Sequence, residues 1–429
     1  MYTKMLCHTL TLALTMFAAT MFLSATGAAQ TEKVLYSFQD NGTDGGLPYS
    51  ALIFDKLHNL YGTTSAGGSH SGGTVFELAP SATGWHEKVL YNFAASDTDG
   101  SSPIAGLIMD KAGNLYGTTY YGGAYGAGTV FELVPHTGGA WTEGILHSFK
   151  NNGTDGENPN GSLLPDAKGN LYGTTVNGGA GASGTVFEVV AKPGRGWVER
   201  VLYSFLDNGT DGRNPMANLV FDTAGNLYGT TYDGGGSGNC ENGCGSVFEL
   251  SPSSGGPWSE TFMYSFHTCF GVCAIWPVGG LAFDSNGNLY GTSAHGNFNS
   301  GGCANYDTCG TVFEMSPAGT DSWSYAGLYA FVGTPDGIWP EFVTPLLDKA
   351  GNIYGTTFNG GADSVGTVFE VSPQEGGTWT EQILYSFSNV GTDGQSPMSS
   401  LVFDGHGNLY GTTLNGGTSG AGTVFEIEP

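Results

Sequence analysis

The 429 residues carry 12 lysines and arginines against 38 aspartates and glutamates, a formal net charge of −26. Such a surface repels phosphate backbones and anionic lipid, which excludes nucleic acid as a partner. Glycine takes 73 positions, yet 13% of the residues are aromatic, so the chain has the large apolar groups of a packed core and is not a disordered low-complexity polymer.

The first segment has Lys4 as its only charge, an apolar run from Met5 to Leu23, and small residues through Ala29. This is the pattern of a secretory signal peptide over residues 1–29; a membrane anchor is the rival reading, but Cys7, His8 and several threonines break the run. No lipobox precedes a cysteine, and no hydrophobic tail or sorting signal precedes Pro429. The expectation is a secreted or periplasmic, monomeric domain over residues 30–429, with no membrane insertion after signal cleavage.

From Thr31 onward the chain repeats. GNLYGTT or a close variant recurs with its tyrosine at Tyr61, Tyr116, Tyr172, Tyr228, Tyr290, Tyr354 and Tyr410. A GTVFE element follows each, ending at Glu77, Glu132, Glu188, Glu249, Glu314, Glu370 and Glu426, and an LYSF-like element ends at Phe38, Phe93, Phe149, Phe205, Phe266, Phe331 and Phe387. In the first copy, strand A is Ala51 to Phe54, strand B Asn59 to Thr64, strand C Gly73 to Leu78 and strand D Trp85 to Phe93. The A-to-B turn reads D-x-x-G-N in most copies: the aspartate bonds the backbone two residues on, and glycine supplies a positive φ.

Seven four-stranded units predict an all-β, seven-bladed β-propeller as one domain. Thr31 to Phe38 is a strand D without its own A, B and C, and the chain ends after a strand C without its D. The N-terminal strand is therefore expected to complete the last blade and remove an open sheet edge.

The combination of D-x-x-GNLYGTT, a GG-rich loop, GTVFE and WxExxLYSF resembles the GloVer tandem repeat of exported bacterial proteins with varied C-terminal anchors. The resemblance spans essentially all of residues 30–429 and implies no established activity. Strands A and B, as in GLAFDSNGNLYGTS at Gly280 to Ser293, are similar more weakly to NHL and SMP-30 propellers.

The D-to-A and B-to-C connections vary most, and in a propeller they share the face on which ligands bind. Six cysteines lie there in three close pairs, Cys240 with Cys244, Cys269 with Cys273 and Cys303 with Cys309. Outside the cytoplasm this spacing favours local disulfides over zinc, since no CxxC pair is present. A GTDG-like segment presents Asp44, Asp99, Asp155, Asp211, Asp336 and Asp393, a calcium-capable set that also suits plain turns, the preferred reading. A second ring at the end of strand B holds Tyr121, Asn177, Asp233, His295, Asn359 and Asn415, with Ala66 in the first copy. Tyr120, Tyr125, Tyr232, Trp276, Phe298, Trp339 and Phe358 supply aromatic platforms beside it.

Polar rims with aromatic platforms suit neutral carbohydrates, whose CH faces stack on rings. The repeated tryptophans Trp85, Trp141, Trp197, Trp258, Trp323 and Trp379 and the GTVFE glutamates read as structure because every copy has them. No catalytic constellation stands out. The leading expectation is an extracellular binding scaffold with Trp276, Trp339 and the second ring as ligand residues, no required cofactor, and a glycan or protein as partner. A metal-dependent hydrolase or lactonase and a purely structural surface protein are the alternatives.

Overall fold

A computed structural model describes residues 30–194, 196–206, 208–236, 240, 242–253, 258–267, 274–296, 309–319 and 322–428. The expected signal segment, Cys269, Cys273, Cys303 and Phe298 lie outside the described residues. Seven antiparallel four-stranded blades make up the described residues. Blade one is Ile53–Phe54, Leu60–Thr64, Thr74–Ser81 and Gly84–Asn92. Blade seven is Val402–Phe403, Leu409–Gly416, Thr423–Glu428 and, as its outermost strand, Thr31–Ser37. The ring closes there, with Thr31 opposite Glu428 and Ser37 opposite Thr423.

The repeated residues are explained by contacts between and within blades. The phenylalanine that ends strand D meets the strand C phenylalanine of the next blade edge-on, in seven pairs from Phe38–Phe76 to Phe387–Phe425 with centroids 5.1–5.2 Å apart. This T-shaped geometry is the favourable one for aromatic quadrupoles. Under each strand C ring lies the glycine of LYGTT: a Cβ at Gly62 would stand 2.6 Å from Phe76 Cζ, and one at Gly229 2.6 Å from Phe248 Cζ. Glycine recurs because the ring takes that space. The first threonine of GTT stitches blades together, as where the Thr63 hydroxyl donates to Ala105 O at 3.1 Å and that of Thr412 to Ser50 O at 3.1 Å. The core is thus a set of apolar clusters shared by adjoining blades, such as Leu35, Phe38 and Val424 packed with Leu52, Phe76 and Leu78.

The A-to-B turns behave as the sequence implies. Asp55 Oδ1 accepts from Leu57 N at 2.8 Å and Asn59 N at 2.9 Å, and Gly113 takes φ of 90°. Four of the GTVFE glutamates are held by tyrosine hydroxyls of the neighbouring strand, Tyr116 donating to Glu132 Oε1 at 2.7 Å and Tyr172 to Glu188 Oε1 at 2.6 Å, while Glu249, Glu314 and Glu370 accept from the serine two residues on. The strand D tryptophans pack across blades, Trp85 on Tyr410 and Trp258 on Tyr172.

Two details differ from the sequence reading. Strand A is only Ile53–Phe54, not Ala51 to Phe54. The residue two positions before strand A bonds sideways around the axis: Gly106 N donates to Ser162 Oγ at 2.9 Å, Ser162 N to Asn218 Oδ1 at 2.6 Å, and Thr344 N to Ser400 Oγ at 2.7 Å. The second is a short ribbon in every blade that pairs the D-to-A connection with the end of strand B, as in Gly212↔Gly234 and Arg213↔Asp233.

Candidate functional site

These ribbons bring together the two rings read separately from sequence. The residue after each GTDG-like turn faces the strand B ring, so Tyr121 pairs with Ser101, Asn177 with Glu157, His295 with Ile275, Asn359 with Ile338 and Asn415 with Gln395. Tyr121 is 52% exposed and stands edge-on to Tyr120. Asn177 donates from Nδ2 to Asn158 Oδ1 at 3.1 Å. Burial raises the carboxyl pKa of Asp233, and Arg213 opposite offsets part of that rise.

The six aspartates are each committed to their own blade junction. Asp44 Oδ2 accepts from the Tyr36 hydroxyl at 3.0 Å and Gln39 N at 2.9 Å, while Oδ1 accepts from Gly45 N at 2.7 Å. Asp99, Asp211, Asp336 and Asp393 repeat this with Tyr91, Tyr203, Tyr329 and Tyr385, and Asp155 with His147. The carboxylates pin the chain as it enters the next blade. Asp99→Ala strands the Tyr91 hydroxyl and the amides of Ala94 and Gly100, an expected loss of about 2–4 kcal/mol on the cost of leaving such donors unpaired. Chemical denaturation checks it.

Inside the ribbons lies a cavity of about 430 Å³. Its wall is an apolar collar that the sequence reading missed, made by Tyr49, Ile104, Met216, Val278 and Phe342, with Asn160 as a polar member. Most of these residues directly follow the proline of the D-to-A connection, and that fixed offset was the available signal. Below is the innermost ring of Ala51, Gly106, Ser162, Asn218, Gly280, Thr344 and Ser400. Asn218 Nδ2 donates to Thr344 Oγ1 at 3.2 Å, from blade four to blade six, and a Cβ on Gly280 would lie 2.3 Å from that hydroxyl. Neither carboxylate nor imidazole occurs in this ring, so an axial metal of the kind used by a lactonase has no such ligand there.

The sevenfold pattern breaks over blades four to six. The residue before the D-to-A proline is left-handed in every blade, at Leu47, Ser102, Asn158, Asn214, Trp276, Trp339 and Ser396. Asparagine tolerates this conformation, whereas a bulky side chain is strained by about 1–2 kcal/mol. Blades five and six nevertheless place Trp276 (φ 54°) and Trp339 (φ 59°) there. Between them stands His295, ring centroids 5.1 Å from Trp276 and 5.7 Å from Trp339, and Tyr232 stacks on Trp276 at 5.9 Å. All four rings are half-buried. Burial lowers the His295 pKa to about 4, leaving a neutral imidazole at neutral pH. Glu341, an insertion peculiar to blade six, lies close enough to act on the Tyr232 phenol, and burial raises its carboxyl to about 7. The cluster is anchored to the adjacent loops, where Trp276 N donates to Cys244 O and Trp339 N to Cys309 O, both at 2.8 Å. Cys240 and Cys244 are joined as a disulfide with Cα atoms 5.3 Å apart, and Cys309 is also disulfide-bonded.

The pattern of the Gloeobacter/Verrucomicrobia repeat matches residues 14–241, 144–308 and 239–429. The chain belongs to this family. No curated protein matches the sequence of this Gloeobacter/Verrucomicrobia repeat protein. Among solved structures it is similar to two extracellular domains of hybrid two component systems from B. thetaiotaomicron. One has 15% identity and a TM-score of 0.55 over 94% of this chain, the other 10% and 0.51 over 92%. The chain spans 41% and 39% of those two domains, respectively. A luciferin-regenerating enzyme aligns over 93% of this chain and 95% of its own, at 13% identity and a TM-score of 0.42. At these identities the two extracellular domains speak to the fold and not to an activity.

Proposed function

We propose that this repeat protein is an exported binding scaffold that takes a neutral glycan on the loop-bearing face, over blades four to six. The observation that carries the reading is the pair of tryptophans, Trp276 and Trp339, held in a left-handed conformation on either side of a neutral His295. Two tryptophans kept in a strained conformation at matched positions, where the other blades use Asn, Ser or Leu, call for a return elsewhere, and the open part of these half-buried rings supplies one by stacking on sugar CH groups. Asp233, Asn359 and the more distant Asn177, Asn415 and Tyr121 offer hydroxyl-matching groups along the same rim, which favours an extended polymer over a small solute. The disulfides and the apolar leader support an oxidising, non-cytoplasmic compartment.

The test is a glycan array with the purified chain from residue 30, followed by calorimetric titration of the best ligand. Trp276→Asn and Trp339→Asn install the residue found in blades three and four. Each is expected to weaken binding at least tenfold while the melting temperature stays within a few degrees, on the ~1–3 kcal/mol carried by an aromatic contact and the strain relieved. Unchanged affinity in both variants removes the site, and an array without hits removes the ligand class.

A further inference from the structure

The blade junctions contain a second carboxylate. Beside each of the six aspartates stands a strand D glutamate of the following blade: Glu87 near Asp44, Glu143 near Asp99, Glu199 near Asp155, Glu260 near Asp211, Glu381 near Asp336 and Glu32 near Asp393. All six have a buried Oε1 without a hydrogen-bond partner. Two carboxyl groups thus converge at every one of these junctions, and at five of them the third group is a phenol, which burial and the adjacent acids keep protonated. A neutral phenol is a poor metal ligand.

Between blades two and three the repeat departs from its pattern, reading LHSF where the others have tyrosine. His147 occupies the tyrosine position with Nε2 3.1 Å from Asp155 Oδ2. One ligand atom each from His147, Asp155 and Glu199 lie within 4.8 Å of one another, the only such trio of His, Cys, Asp or Glu among the described residues. The His147 side chain is 16% exposed and that of Asp155 8%, so the trio is sheltered yet reachable.

We propose that His147, Asp155 and Glu199 form a binding site for one divalent transition-metal ion of the zinc type. The donor set decides the class: imidazole with carboxylates suits zinc and its neighbours, whereas calcium takes oxygen ligands only. Two carboxylates balance the ion's charge. Metal bonds of about 2.0–2.2 Å put tetrahedral ligand atoms roughly 3.4 Å apart. His147 and Asp155, at 3.1 Å, are already close to that spacing, and the Glu199 ligand atom lies within 4.8 Å of both. Three protein ligands leave one position to water. Lys150 acts on Glu199 as a competing cation.

His147→Tyr is the decisive variant because it restores the residue that sits with aspartate at five other junctions, so folding is preserved. Chelator-stripped protein from residue 30, titrated with zinc chloride by calorimetry, is expected to bind one ion with a micromolar or lower Kd and to melt higher when loaded. His147→Tyr should melt as the parent does without metal and bind zinc at least 100-fold more weakly, with Glu199→Gln weakened at least tenfold. Absence of stoichiometric zinc uptake overturns the site, as does uptake undiminished in His147→Tyr. Calcium chloride binding equally to parent and His147→Tyr, with no zinc uptake, also overturns it and assigns the cation to the aspartate turns.

Discussion

A chain lacking Thr31–Phe38 is expected to lose its single cooperative melt and to run as high-mass species on size exclusion. The segment supplies the whole outer strand of blade seven, paired from Thr31↔Glu428 to Ser37↔Thr423. It also supplies Phe38, fully buried against Phe76, and Leu35 in the same cluster. Without it, Thr423–Glu428 presents a free edge carrying Val424, Phe425 and Ile427, and unpaired apolar edges template association. Even the single change Phe38→Ala should cost about 3–5 kcal/mol, the range for emptying a phenylalanine site in a core. Because Thr31 lies opposite Glu428, joining the same segment after residue 428 through a short turn should restore a monomeric, cooperatively melting protein. A truncated chain that melts like the parent would refute this account of closure.

The second large effect is a stability that rises as the solution is acidified from pH 8.5 to 5.5. Glu87, Glu143 and Glu260 are raised to about 7, and Glu32 and Glu381 to about 8, in each case first by burial and then by the adjacent aspartate. A carboxyl whose folded pKa exceeds its unfolded value of 4.5 binds its proton more tightly when folded. Its contribution is complete below pH 4.5, falls as pH climbs through 7 to 8, and is flat above. Opposing terms act at lower pH: His295, lowered to about 4, resists charging as pH drops from 6.5, and Asp284 and Asp404 are held ionised by turn hydrogen bonds. Maximum stability therefore falls near pH 5 to 6. With each partly exposed glutamate discounted for solvent screening to about 1 kcal/mol, the five give about 5 kcal/mol. That is roughly 6 °C for some 400 residues at about 2 cal/mol/K each. Calorimetric melts across this pH range, in chelator, check the sign, and changing all five glutamates to glutamine should flatten the profile. A melting temperature that rises toward pH 8.5 contradicts it.

The blades were legible because the repeat writes each turn and core position seven times over: D-x-x-G-N gives the hairpin, and the orphan strand at Thr31 announces closure. The ribbons were not legible. Segments such as Gly45–Gly46 and Asp233–Gly234 are two residues long, without alternation, so nothing local distinguishes pairing from turning. The aspartates were visible as turns, but their partners come from elsewhere in the chain: Asp155 meets His147 from the preceding blade and Glu199 from 44 residues downstream. Trp276, His295 and Trp339 were picked out as aromatic and polar rim residues, whereas their mutual contact depends on backbone angles that residue type does not reveal. LHSF was in plain view as an exception, and only the fold gives that histidine its two carboxyl neighbours.

Closure also imposes an order of events. Thr31–Ser37, the first strand of the ring in chain order, finds its partner only in Thr423–Glu428, the last strand of the ring. A chain emerging from a ribosome cannot complete its ring until the residues through Glu428 are out, however quickly individual hairpins form. Contacts so distant along the sequence slow the final step. A chain of this design therefore keeps that seam open until late, and acquires resistance to proteases in one final event.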